Sequence, residues 1–194
     1  HRLSTIRSAD RILVIGSVEP HYFSGYTGGR KAIVPGLAAY STIEDNHSLA
    51  LAREALPLVL KGNPVHEDLE EAVNLLTVPP VFSIMLVLTP HRELYAAFSG
   101  SLSETLRHAA VKADEVYSIP FRQKADIVLS VVFPPLDVDL YQSQKPIEHG
   151  KLALKDDGIL ILVSACSRGI GNMEFQNLLL DTGDPVKVRT LLDG

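Results

Sequence analysis

Four short apolar runs constrain the fold of this chain more than any other feature: 11–16, 81–88, 125–132 and 158–164. Each has the length of a buried strand, and Gly, Pro or Asp punctuates its surroundings. Segments with helical periodicity separate the runs, which is the order expected of an α/β protein. A helix predicted at 140–152 joins the last two runs into a strand–helix–strand unit, the pattern typical of parallel strands. We therefore predict an α/β fold.

A proline break at Pro120 divides the pattern into two lobes, which we place at residues 1–118 and 119–194. In the first lobe, the run 81–88 is followed by a turn and a second strand-like segment at 93–98, which predicts a hairpin. That lobe should therefore contain a mixed sheet. The second lobe should contain a parallel βαβ unit, whose ligands usually bind at the C-terminal ends of the strands.

Charge and composition exclude several classes of function. The 194 residues carry a net charge of −5 and contain no basic run, which argues against binding nucleic acid by neutralising phosphates. No apolar run reaches the ~18 residues of a membrane span. Cys166 is the only cysteine, so no intrachain disulfide can form, and a reducing compartment fits this composition. We expect a cytoplasmic protein with neither a nucleic-acid nor a membrane partner.

One glycine-rich loop concentrates the residues of chemical interest: Pro20-His21-Tyr22-Phe23-Ser24-Gly25-Tyr26-Thr27-Gly28-Gly29-Arg30-Lys31. Its glycines permit backbone angles and close approaches that a side chain would forbid. Such a loop can turn main-chain N–H groups toward an anion or a planar ligand. Lys31 could be a point charge on phosphate or a nucleophilic amine, and His21 could ligate a metal or move a proton. We interpret the loop as a cofactor site.

Common phosphate and metal motifs do not match this loop. A nucleotide P-loop requires Gly-Lys followed by Ser or Thr, whereas Lys31 lies between Arg30 and Ala32. The three glycines also do not reproduce the spacing Gly-x-Gly-x-x-Gly of dinucleotide sites. A structural zinc site needs a cluster of Cys and His ligands, which one cysteine cannot supply.

A second histidine of interest follows on a predicted helix. Ser41 and Glu44 have the spacing of a capping box, which predicts a helix from about residue 42 with His47 on its apolar face. His47 would then point inward with that face or into a pocket that the face borders. Taken alone, His21 or His47 is more often an ordinary polar residue than a ligand. The glycine loop and its lysine favour a functional interpretation of both. We assign the other histidines examined to the surface: His66, His91, His108 and His149.

In the second lobe, Gln142 and Lys145 lie three residues apart and would share a face of the predicted helix. Lys145 could hold a carboxylate or be an ordinary solvated lysine.

Taken together, these segments resemble the nickel-pincer-dependent lactate racemase family. Lys31 follows His21 by 10 positions, His47 follows Lys31 by 16, and Gln142 follows His47 by 95. The resemblance rests on these spacings, on the glycine-rich loop and on six further segments: Pro35-Gly36, Thr42-Ile43, Asn46-His47, Ala125-Asp126-Ile127-Val128, Asp139-Leu140-Tyr141-Gln142-Ser143-Gln144-Lys145 and Ile159-Leu160-Ile161-Leu162-Val163. It implies part of an N-terminal cofactor-binding domain at 1–118, part of a C-terminal α/β domain at 119–194, and an active site in the cleft between them.

The resemblance also implies a role for each candidate residue. Lys31 would carry the nickel-pincer nucleotide, a pyridinium thioamide/thiocarboxylate bound covalently, and His47 would complete the coordination of Ni(II). His21 would be an acid/base group and Phe23 would line the substrate pocket. The remaining assignments are cofactor binding by Tyr26, Gly28 and Gly29, and substrate contact by Gln142 and Lys145.

The function implied is a racemase or epimerase of a small 2-hydroxy acid, with lactate as the default substrate, acting by reversible hydride transfer to the cofactor. Separate biosynthetic enzymes would be partners because they install the cofactor. The resemblance places a second acid/base histidine and a substrate-binding arginine upstream of this chain. We therefore expect an internal part of a longer protein, without its N-terminal segment and C-terminal end, which could be inactive in isolation.

Two alternatives remain open at this stage. The first is an enzyme that uses Lys31 on a phosphorylated or carbonyl substrate without nickel. The second is a non-catalytic binding homologue that retains the loop.

Overall fold

The structure is a computed structural model that describes residues 8–76, 79–181 and 183. The chain divides into two compact units, unit 1 at His1–Pro120 and unit 2 at Phe121–Gly194. The predicted position of the active site in a cleft stays a prediction.

Unit 1 contains five strands and three α-helices among its described residues. The strands are β1 (Ile12–Ser17), β2 (Pro20–His21), β3 (Gly25–Tyr26), β4 (Val81–Leu88) and β5 (Leu94–Gly100). The helices are α1 (Tyr40–Ser48), α2 (Pro64–Leu75) and α3 (Leu102–Tyr117), with short 3-10 helices at Gly29–Ala32 and Leu49–Leu51.

The central sheet of unit 1 has the order β1-β4-β5, with β1 parallel and β5 antiparallel to β4. The predicted hairpin and mixed sheet are therefore confirmed. Along β4 the fully buried residues are Ser83, Met85 and Val87, which alternate as the two-residue period of a strand requires. Helix α3 packs its buried Leu106 and Ala109 into the same core. Tyr26 of the glycine-rich loop belongs to the same core.

Helix α1 begins two residues earlier than the sequence predicts. It starts at Tyr40, and its N-cap is Ala39, which makes no side-chain cap. The predicted capping box of Ser41 and Glu44 is therefore wrong, because both residues already lie inside the first turns of the helix. Helix α2, in contrast, has a strong cap, since Asn63 Oδ1 accepts from the two amides that follow Pro64.

Unit 2 confirms the predicted parallel pair. Strand β6 (Ala125–Val131) lies beside β7 (Leu154–Val163) in parallel register. The predicted helix at 140–152 is divided into α4 (Leu140–Ser143), α5 (Lys145–Gly150) and a 3-10 helix at Lys151–Ala153. Pro146 in the first turn of α5 explains the interruption, because proline lacks an N–H and clashes with the preceding turn.

Two further helical segments complete unit 2, a 3-10 helix at Leu136–Val138 and α6 (Met173–Asp181). Among the described residues of the whole chain, no helix has the length and apolar character needed to cross a membrane.

The packing of the glycine-rich loop generates a stability test with a matched pair. Gly25 and Gly62 both have positive φ, +75° and +81°, but a Cβ on Gly25 would lie 2.1 Å from the Val59 carbonyl oxygen, whereas a Cβ on Gly62 would meet nothing within 4 Å. Gly62→Ala should cost about 1–2 kcal/mol for the backbone conformation alone. Gly25→Ala should cost about 1–3 kcal/mol more because the clash adds to that strain.

Urea denaturation of both variants of the full-length protein measures this difference. Equal midpoints for the two variants would contradict the close packing of Gly25.

Candidate functional site

The site is built on a tight hairpin whose strands are β2 and β3. Pro20 pairs with Tyr26 and His21 pairs with Gly25, so Tyr22, Phe23 and Ser24 form the turn between them. We refer to residues 22–25 as the hairpin tip. Ser24 N–H donates to His21 Nδ1 at 3.3 Å, which holds the imidazole against the turn.

Three successive carbonyls of the hairpin tip accept hydrogen bonds from three separate segments of unit 1. The donors are Asn63 Nδ2 to Phe23 O (2.9 Å), Arg30 Nη2 to Ser24 O (3.1 Å) and Leu58 N to Gly25 O (3.1 Å). The Asn63 side chain is fully buried and also caps α2, so the hairpin and that helix share one anchor. The hairpin tip is therefore fixed from several directions.

The Phe23 ring lies among three of the predicted site residues. Its centroid is 4.5 Å from that of His21 and 5.1 Å from that of His47, both in edge-on geometry. The Lys31 Nζ atom lies 5.9 Å from the Phe23 centroid and donates to Ser24 Oγ at 3.1 Å. The structure thus brings together His21, Phe23, Lys31 and His47, which are spread over 27 positions of sequence.

Burial and neighbouring charge favour the neutral forms of two of these groups. Burial, and secondarily the Arg30 guanidinium, lowers the pKa of Lys31 to about 8. Partial burial, and secondarily the positive charge of Lys31, lowers the pKa of His47. Each effect follows from taking a cation out of water or placing it near another cation. Both shifts increase the neutral fraction of the amine and of the imidazole at a given pH.

Arg30 is a buried cation that adds to the effect of burial on the pKa of Lys31. Its side chain is 1% exposed, and burial lowers its pKa to about 10 although Glu70 acts in the opposite direction. The pKa of His66 falls to about 4 through burial and then Arg30. His66 is partly buried, so its assignment to the surface is wrong.

Two main-chain amides of the loop are already engaged within unit 1. The N–H of Gly29 donates to Met85 Sδ at 3.1 Å, and that of Lys31 donates to Gly28 O at 3.1 Å. A Cβ on Gly28 would lie 2.8 Å from Ser17 O, so this glycine serves packing within unit 1. The amides of Gly29 and Lys31 therefore do not face an anion or a planar ligand, because both already bond within unit 1. Ligand binding by the rest of the loop stays a prediction.

Tyr26 is a core residue with a specific polar partner. It is 2% exposed, and its hydroxyl donates to Asp114 Oδ1 on α3 at 2.5 Å. Burial first, and then the hydrogen bond to Asp114, raises the pKa of the phenol. The contacts of Tyr26 thus join the loop to α3, and direct cofactor binding by Tyr26, Gly28 and Gly29 stays a prediction.

The orientation of α1 differs from the prediction in one respect. The buried residue of its last turn is Asn46, whose Nδ2 donates to Val65 O at 3.2 Å and to Asp68 Oδ2 at 2.8 Å. His47 is exposed, so it does not point inward with the apolar face. The other direction considered, toward a pocket beside that face, stays a prediction. One residue along a helix is a rotation of about 100°. Because Asn46 faces the core, His47 is turned toward the Phe23 ring.

In unit 2, the candidate pair Gln142 and Lys145 is in direct contact. Lys145 Nζ donates to Gln142 Oε1 at 2.8 Å, across the break between α4 and α5. Asp139 caps α4 by accepting from Gln142 N at 2.7 Å. Fully buried Ser143 joins this turn to the end of β7 through Ser164 Oγ at 2.8 Å. The pair is therefore held at the C-terminal ends of the two parallel strands.

Sequence reasoning assigned no role to Ser24, Arg30 or Asn63, which organise the site. Asn63-Pro64 carries a usable signal, since Asn followed by Pro is typical of an N-cap and first helical residue. No pattern in the neighbouring sequence indicates that Arg30 is buried. Among the described residues, no group of three or more His, Cys, Asp or Glu side chains is placed to hold a metal ion.

Two family models match the chain. The lactate racemase N-terminal domain matches residues 3–56, and the lactate racemase C-terminal domain matches residues 121–192.

Curated relatives cover nearly all of the chain. The lactate racemase of Thermoanaerobacterium thermosaccharolyticum is 30% identical over 182 residues, which is 93% of this chain and 42% of the relative. The lactate racemase of Lactiplantibacillus plantarum is 31% identical over 180 residues, 91% of this chain and 42% of that protein. The chain thus spans about two fifths of the length of these relatives.

Solved structures agree with the α/β architecture. The lactate racemase apoprotein from Thermoanaerobacterium thermosaccharolyticum superposes with a TM-score of 0.89 at 30% identity, covering 96% of this chain and 45% of that one. A Thermotoga maritima protein superposes with a TM-score of 0.56 at 20% identity over 70% of this chain and 34% of that one, and shares the fold.

The lowered pKa of Lys31 predicts how its reactivity depends on pH. Only the neutral amine attacks an acylating reagent, so labelling of Lys31 should rise with pH to half its maximum near pH 8. An ordinary lysine reaches half-maximal labelling near its reference pKa of about 10.4. Pulse acylation of the full-length protein without cofactor, followed by peptide mass spectrometry, measures the profile, with the peptide of exposed Lys61 as reference. Superimposable profiles for the two peptides would contradict the assignment.

Proposed function

The chain belongs to the lactate racemase family, and on that premise we propose that the full-length protein is a racemase or epimerase of a 2-hydroxy acid, with lactate as the default substrate. One observation carries the proposal. The Lys31 amine lies near, and the His47 ring lies against, the same Phe23 ring. A single planar ligand joined to the amine could therefore reach the imidazole.

We propose a nickel-pincer nucleotide as that ligand, and the residues present fit it. Attachment needs a neutral amine, which a pKa of about 8 makes accessible near neutral pH. Nickel needs a neutral imidazole, and the lowered pKa of His47 favours that form. The pincer brings its own donor atoms, so one protein ligand is sufficient. Gly28, Gly29 and Tyr26 would contribute by fixing the loop.

When bound, the nickel-pincer nucleotide would supply the hydride acceptor that interconverts the 2-hydroxy acid and a planar 2-keto acid. The chain's own residues would bind and orient the substrate and move its hydroxyl proton. Phe23 would form one wall of the pocket, and Gln142 with Lys145 would hold the carboxylate or the developing oxyanion. His21 would exchange the hydroxyl proton.

The hydrogen bond from Ser24 N–H constrains how His21 can act. Because Nδ1 accepts this bond, the neutral ring carries its hydrogen on Nε2. Uptake of the hydroxyl proton at Nε2 would require the other tautomer, in which Nδ1 carries the hydrogen and the contact with Ser24 opens. At 3.3 Å this contact is long, so opening it costs little.

Installation of the cofactor by separate biosynthetic enzymes and the cytoplasmic location stay predictions within this proposal.

Substitution of the two cofactor residues separates attachment from metal binding. In full-length protein co-produced with the biosynthetic enzymes, Lys31→Ala should lose both the covalent mass adduct and at least about 10²-fold of the racemase activity. His47→Ala should keep the adduct but lose nickel affinity by more than the about 10–100-fold that loss of an outer-shell partner causes. Peptide mass spectrometry and metal analysis measure these outcomes.

The control for both variants is His91→Ala, since His91 is exposed in the turn between β4 and β5. An unmodified Lys31 peptide in active wild-type protein would overturn the proposed function.

His21 should act on one face of the substrate. Racemisation has an equilibrium constant of one, so kcat/KM must remain equal for the two enantiomers in any variant. The asymmetry therefore appears in single-turnover formation of keto acid from each enantiomer. His21→Ala should slow this step by about 10²-fold or more for one enantiomer and by much less for the other. Equal slowing for both enantiomers in a rapid-quench experiment would contradict the assignment.

A further inference from the structure

Ser24 is the residue through which the proposed cofactor lysine is held. It is fully buried, and its Oγ accepts from Lys31 Nζ at 3.1 Å. The same hydroxyl donates to Tyr26 O at 3.4 Å. A serine hydroxyl has one hydrogen and two lone pairs, so donation to Tyr26 leaves the lone pairs for the amine. Ser24 therefore acts as an acceptor toward Lys31.

The acceptor cannot easily move, because the carbonyl of Ser24 is engaged within unit 1. It accepts from Arg30 Nη2 at 3.1 Å. The neighbouring carbonyls of the hairpin tip are held by Asn63 and Leu58. A rigid acceptor selects one direction for a flexible side chain that has four rotatable bonds. The position of the Lys31 nitrogen is thus determined by the hairpin.

We propose that Ser24 is a positioning residue that fixes the Lys31 nitrogen for attachment of the cofactor and for its orientation afterwards. In the free amine, donation of one N–H to Ser24 Oγ turns the nitrogen lone pair away from the hairpin. In the thioamide linkage implied for this family, the nitrogen keeps one hydrogen, and the same oxygen accepts it. The plane of the linkage, and with it the pincer ring, would then be set relative to Phe23 and His47.

This inference rests on the proposed function, because it assigns Ser24 a part in holding that cofactor. It is separable from the proposed function, since a pincer could be attached to Lys31 without any contribution from the serine. Removing the Ser24 hydroxyl should remove one hydrogen bond of ordinary strength. We therefore expect about a fivefold loss in kcat or in the fraction of Lys31 that carries the cofactor.

The test uses Ser24→Ala in the full-length protein, co-produced with the biosynthetic enzymes. The fraction of Lys31 that carries the adduct, measured by intact mass early in co-production, should fall about fivefold. Per attached cofactor, kcat should also fall, whereas KM should be unchanged because Ser24 acts through Lys31. The matched control is Ser83→Ala: Ser83 is also fully buried, but its hydroxyl bonds to Gly100, Ser101 and Thr105. Its adduct fraction should equal that of wild type.

A second variant covers the case in which Ser24→Ala does not fold. Ser24→Cys keeps nearly the same volume but presents sulfur, a weak acceptor, so it should also lower the adduct fraction. Wild-type adduct fraction and kcat in a folded Ser24 variant would overturn the role of Ser24 while leaving the proposed function intact. Absence of the adduct from wild type would instead overturn the proposed function and this inference with it.

Discussion

The hydrogen bonds that fix the hairpin tip are the constraint on which the candidate site depends. Asn63, Arg30 and Leu58 each hold one of three successive carbonyls, so the turn has little freedom to rearrange. Buried acceptors must be satisfied, and the loss of one such donor leaves a carbonyl without a partner at a cost of about 1–3 kcal/mol. The positions of the Phe23 ring and the Ser24 hydroxyl follow from these bonds.

A second physical effect, the burial of adjacent positive charges, lowers the pKa of the lysine in the fixed loop. Arg30 and Lys31 are neighbours in sequence, and both groups reach Ser24, one at its carbonyl and the other at its hydroxyl. Two cations in a medium of low polarity disfavour each other, and the lysine yields because its amine loses a proton more readily than a guanidinium. At His47, partial burial and, after it, the positive charge of protonated Lys31 lower the pKa of the imidazole. Arg30 therefore both holds the hairpin tip and contributes to the lowered pKa of Lys31.

In unit 2, the candidate pair Gln142 and Lys145 is held by the loops that follow two parallel strands. A parallel pair of strands places two loops at one edge, and Ser143, Asp139 and Ser164 tie those loops together. The contact of Lys145 with Gln142 spans the break between α4 and α5 and has the i, i+3 spacing that the sequence predicted.

Much of the architecture was readable from the sequence, because strand length, alternation and the order of elements are local properties. The β4–β5 hairpin, the parallel β6–β7 pair and the family all follow from patterns and spacings that need no knowledge of distant contacts. The orientation of side chains was not readable in the same way. Asn46 faces the core instead of His47, His66 is partly buried, and the amides of Gly29 and Lys31 bond within unit 1.

Several contacts of the site depend on partners far along the chain, such as Asn63 for Phe23 and Asp114 for Tyr26, 40 and 88 positions apart. The sequence by itself determined which residues could carry the chemistry. Only the tertiary structure decided which of them meet, because a hydrogen bond or a desolvated charge depends on the atoms that packing brings within a few ångströms.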